Sequence, residues 1–130
     1  MKIAIRVLAG LVTLLFVSTA MQWLFAPALA AEGLGMPLLE GVAASSQIGD
    51  LGAFFLVGAI MMGLGQRPGQ SHWFYPPALM VGGAALVRSL AALLGHAAFV
   101  PRFIVLEIVM MVILLAAARL LAEDEGGRSA

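Results

Sequence analysis

The sequence predicts an all-α integral membrane protein, an antiparallel up-down-up-down four-helix transmembrane bundle with both termini in the cytoplasm. Three observations lead there. The 130 residues are 62% hydrophobic and 11% charged, against about 45–50% apolar and about 25% charged in soluble domains. Four apolar stretches of about 20 residues, the length needed to cross about 30 Å of hydrocarbon, account for most of the chain. The basic residues gather on one side of those stretches, as the positive-inside rule requires. Seven basic and seven acidic residues are too few to cover the surface of a soluble domain this small, and a chain of this length forms one domain. The zero formal net charge gives no basic surplus for nucleic acid. The lack of cysteine excludes disulfides, thiolate metal sites and cysteine nucleophiles.

The four spans are expected at about residues 3–25, 42–64, 77–95 and 102–121, within a single domain over 1–122. The first is interrupted by Arg6 near its start and Gln22 near its end. It has a competing reading as a cleaved signal: Lys2 and Arg6 make a basic start, and Ala28-Leu29-Ala30 carries the small residues of a peptidase site. The apolar run Val7 to Phe25 is 19 residues long, whereas signal cores run to about 7–15, so a retained span is expected. The second span holds Ser45, Ser46, Gln47 and Asp50 in its first third, the third holds Arg88, and the fourth Glu107.

Lys2, Arg6, Arg67, Arg119 and Arg128 fall on one side and Arg102 on the other. This bias places both termini of the multi-pass chain in the cytoplasm. Trp23 is expected at the outer interface, and Trp73, Phe74 and Tyr75 as an inner aromatic belt. Residues 66–76, rich in Gly, Pro and Gln, read as a tight inner turn, and 95–101 as a tight outer turn. The link 26–41 reads as an outer loop with at most one helical turn. The acidic, glycine-containing end, 123–130, reads as a disordered cytoplasmic tail. Short links force consecutive spans to be antiparallel. Gly49, Gly52, Ala53, Gly58, Ala59 and Gly63 in span two, with Gly82, Gly83, Ala84 and Ala85 in span three, suggest a close approach of those two helices.

The unusual residues are Asp50, Arg88 and Glu107, because a charge near the centre of a membrane helix costs about 2.5–3.5 kcal/mol on insertion scales. At about 1.5 Å per residue, Arg88 lies about 10 Å below the outer end of its span, Glu107 about 7–8 Å and Asp50 about 12 Å. One guanidinium and two carboxylates at one depth can neutralise each other, and the fork of donors on Arg can hold two carboxylates. Small neighbours at Ala84, Ala85, Ala91 and Ala92 leave Arg88 room to reach another helix. Gln47 and Ser89 extend the polar cluster. It has two readings: a buried clamp that sets helix register, or the lining of a small cavity for a ligand, a quinone head group or a proton.

Other chemistry is thin. His72 and His96 sit at opposite ends and cannot share a metal. Met61, Met62, Met110 and Met111 read as packing residues. Ser45 and Ser46 have no histidine at their depth. No phosphate loop or hydrolase motif is present, so neither catalytic nor metal-binding residues are expected.

The order of features then resembles a family. The features are a basic start, a first span ending near Pro27, Gln47-Ile48-Gly49-Asp50-Leu51-Gly52 in the second, Val87-Arg88-Ser89-Leu90 in the third and Leu106-Glu107 in the fourth. Over residues 2–121 this is similar to the small four-helix bacterial membrane proteins of the DoxX-like superfamily. The chain carries Ser46-Gln47 where that family places a basic residue. The family's name-giver is an accessory subunit of a membrane quinone oxidoreductase, so the resemblance implies a quinone or a membrane redox complex as partner.

Three functions follow as expectations. The first is a non-enzymatic scaffold or accessory subunit in contact with the lipid bilayer and a membrane-complex partner, needing no cofactor. The alternative is a quinone- or small-ligand-binding subunit of a redox complex. The third is a small transporter assembled from several copies.

Overall fold

A computed structural model describes Met1–Arg128, without the side chains of Asp124, Glu125 and Arg128. The described chain is all helical, with no β-strand. Helix α1 covers Lys2–Phe25, α2 Pro27–Gly33, α3 Gly41–Gly65, α4 Tyr75–Leu93 and α5 Pro101–Arg128, and a 3-10 turn at Ser71–Phe74 leads into α4. Helices α1, α3 and α5, and α4 with its leading turn, are each long and apolar enough to cross a membrane. Even the most covered of these four spans is only 33% buried within the protein. The apolar surface left over, on residues such as Ile3, Leu14, Leu79, Leu86 and Val112, suits contact with lipid and not with water. These features make the chain a multi-pass membrane protein.

The chain divides into two compact units, Leu11–Ile60 and Met1–Gly10 with Met61–Ala130. In the first, α1 and α3 run in opposite directions: Phe16 meets Phe54 and Phe55 at ring-centroid distances of 6.0 and 5.0 Å, and the Cβ of Trp23 lies 3.5 Å from where a Cβ on Gly52 would be. Trp23, Ala30 and Ala31 form a buried cluster against which Leu34, Met36, Ile48, Leu51 and Phe55 pack. Two expectations change here. Trp23, expected in an aromatic belt, is fully buried, because α2 and the first half of α3 pack over it. The 26–41 link contains a real helix. Pro27 starts α2 at a position where its missing N–H is not needed, and a Schellman turn ends it. There Met36 N–H donates to Ala31 O and Gly35 N–H to Glu32 O, with Gly35 at φ 71°.

In the other unit, α4 and α5 pack side by side, and α5 also packs on the 3-10 turn. Buried Ala78, Val81 and Ala85 recur at helical spacing on α4, and Met110, Leu114, Ala117, Ala118 and Leu121 on α5. A Cβ on Gly82 would approach Met111 Sδ to 2.5 Å. Phe74, expected in an interfacial belt, is fully buried. Its ring occupies the space a side chain on Gly65 would take, with ring carbons 2.9 Å from that Cβ position. Of the glycines expected to bring spans two and three together, Gly52 thus meets α1 and Gly82 meets α5, while Gly49, Gly63 and Gly83 meet none. Helix α4 ends in a second Schellman turn at Gly95, with His96 N–H donating to Ala91 O. Helix α5 continues to Arg128, through part of the tail expected to be disordered. Ala and Glu favour helix, and extending a helix is easier than starting one. Residues 129–130 of that tail lie outside the described residues.

Candidate functional site

The α4–α5 pair carries the most organised polar group. Arg88 lies five residues, about one and a half turns, before the C-terminal end of α4, and Glu107 six residues into α5, so antiparallel packing brings them level. Arg88 Nη2 donates to Glu107 Oε1 at 2.9 Å, and Arg88 Nε donates to Oε2 at 3.4 Å. This side-on fork engages both carboxylate oxygens, a geometry that Arg supports and Lys does not. The carboxylate side is the more enclosed, at 12% relative exposure against 36% for Arg88.

One turn before Glu107 on the same face of α5 stands Phe103. The Arg88 guanidinium carbon lies 5.2 Å from its ring centroid, and that of Arg102 lies 4.6 Å away. Cations are drawn to the face of an aromatic ring by its quadrupole. The ring therefore links two guanidiniums, of which only Arg88 has a carboxylate. Arg102 is exposed and forms no hydrogen bond or ion pair among the described residues.

The other expected members are placed as follows. Ser89 donates from Oγ to Ala85 O at 2.7 Å, a bond within its own helix. Gln47 belongs to the Leu11–Ile60 unit, where it ties the link to α3. Its Oε1 accepts from Leu39 N–H at 2.9 Å, and its Nε2 donates to Pro37 O and Met36 Sδ, both at 3.0 Å. Asp50 lies in the same unit. It is exposed, and its carboxylate forms no ion pair or hydrogen bond among the described residues. Among those residues no three His, Asp or Glu side chains are grouped as a metal ion would need.

Two polar features escaped the sequence reading. Arg6 Nη1 donates to Gln66 O at 2.9 Å, and Gln66 Nε2 donates back to Arg6 O at 3.2 Å. The guanidinium thereby meets the negative end of α3, where carbonyls lack helical partners. The signal was available: a cation near the start of span one and an amide just past the end of span two, both at the same membrane face. The second is the Phe103 platform, which a search for aromatics four residues from Glu107 would have found. No family model, curated protein or solved structure matches the chain.

Proposed function

We propose that the protein is a non-enzymatic membrane scaffold or accessory subunit in which Arg88 and Glu107 act as a helix clamp. The observation that carries this reading is the two-pronged pair itself. Both oxygens of Glu107 accept from Arg88, a geometry that suits holding α4 against α5. In this proposal the spans alternate up-down-up-down in a bacterial inner membrane, with both termini cytoplasmic, as the basic residues favour.

Membrane accumulation of the full chain tests the clamp. Removing one partner leaves an unpaired charge at membrane depth, a penalty of about 2.5–3.5 kcal/mol on insertion scales. Arg88→Leu and Glu107→Gln should each lower accumulation several-fold, and Arg88→Leu combined with Glu107→Leu should restore part of it. Wild-type accumulation of both single variants would refute the clamp. Because the chain has no cysteine, Gln70→Cys and Ala98→Cys can report orientation. A membrane-impermeant maleimide applied to intact cells should label Ala98→Cys and spare Gln70→Cys; the opposite pattern would invert the topology.

A further inference from the structure

We propose that the outer rim of the α4–α5 pair is a binding site for an anionic, phosphate-headed lipid, with Arg102 as the head-group ligand and Phe103 as its platform. The inference goes beyond the clamp and rests on its geometry in one respect, that Glu107 is held by Arg88, while Arg102 takes no part in that pair.

Three observations carry it. The first is the charge balance. Two guanidiniums lie against one phenyl ring, and the single carboxylate there is bound at both oxygens by Arg88. One positive charge is left without a counter-charge. The second is its place. Arg102 is the second residue of α5, a span that begins at Pro101, and so sits where a span meets the head-group layer. Its guanidinium is exposed and free of hydrogen bonds among the described residues, and the ring at 4.6 Å steadies it. Arg88, partly exposed, keeps its Nη1 donors free of the carboxylate.

The third observation is the surface below. On the face of α5 carrying Arg102, at helical spacing, follow Val105, Leu106, Val109 and Val112, which are 58%, 46%, 48% and 56% exposed. A cation at the rim with a continuous aliphatic strip beneath it fits a molecule with an anionic head and an acyl chain. A guanidinium fork matches a phosphate through paired donors. A soluble phosphate would use only the head of such a site.

Native mass spectrometry of the detergent-purified full chain reads the site directly. Dioleoyl phosphatidylglycerol should bind several-fold more tightly than dioleoyl phosphatidylcholine, which has the same chains and no net charge. Arg102→Gln should weaken phosphatidylglycerol binding about fivefold, in line with one cation near an anionic surface. Arg102→Lys, which keeps the charge and loses the fork, should fall between the two. Arg67→Gln, in the link between α3 and the 3-10 turn, should leave binding unchanged. Glycerol 3-phosphate, the head without chains, should not displace the lipid at equal concentration. Equal binding of the two lipids, or undiminished binding by Arg102→Gln, would overturn the proposal. Efficient displacement by glycerol 3-phosphate would also overturn it, in favour of a soluble anion.

Discussion

The Leu11–Ile60 unit and the α4–α5 pair solve one problem by different means. Between helices in lipid, burying an apolar side chain gains little, because the acyl chains are as apolar as the protein. Association must then come from shape or from electrostatics. The Leu11–Ile60 unit uses shape: three phenyl rings interlock around Phe16, and Trp23 fits over Gly52. The α4–α5 pair has only small or medium side chains on the buried face of α4, and it adds a charge-assisted fork. A membrane helix pair without large rings to interlock can gain its register from one well-made ion pair.

The contrast is broken most severely at Trp23. Trp23→Ala should destabilise the Leu11–Ile60 unit by about 2–4 kcal/mol, somewhat below the range of soluble cores, because lipid replaces water as the alternative environment. The loss should appear as a fall of several degrees or more in the melting temperature in detergent. A change within error would show that the indole is not what joins α1 to α3.

The comparison is sharpened at two glycines. Gly65→Ala drives a methyl group into the ring of fully buried Phe74 and should cost about 1–3 kcal/mol. Gly82→Ala meets Met111 Sδ, the end of a flexible side chain that can turn away, and should cost about 1 kcal/mol or less. Thermal melts of the two variants should fall in that order, and a reversed order would contradict the packing described. The smallest effect is expected at Gln66. Gln66→Leu removes its side-chain bond to Arg6 O and leaves the Arg6–Gln66 O bond in place. The loss should be about 0.6 kcal/mol, the average for a hydrogen bond between membrane helices, read by the same melts.

Much of the fold was legible because membrane spans are set by length and composition. The expected limits of the first two spans, 3–25 and 42–64, differ by one residue at most from α1 and α3. Helix α2 was missed although Pro27 at its head and Gly35 past its end are the usual marks of a short helix. Its apolar length is too small to register beside spans of 20 residues. Arg88 and Glu107 were legible as a pair because both depths can be counted from helix ends. That counting gives depth and not azimuth. It therefore matched Asp50 to the same level without revealing that its carboxylate is exposed. It also placed Trp23 and Phe74 at span ends without revealing that both are buried, Trp23 against α2 and α3 and Phe74 where Gly65 makes room for its ring. Phe103 shares the face of Glu107 at i, i+4 spacing, a sign present in the sequence, but that Arg88 reaches its ring depends on how α4 docks on α5, which no single-helix pattern encodes.

The indole nitrogen of Trp23 is buried and makes no hydrogen bond among the described residues, although buried indoles usually find a partner. Its proton has neither solvent to trade with nor an acceptor to hand it to. Placed in heavy water, the molecule should keep that hydrogen long after Trp73, which is only partly covered, has swapped its own for deuterium. The chain thus carries two tryptophan clocks, one fast and one slow, and the slow one runs only while α1 and α3 stay closed over it.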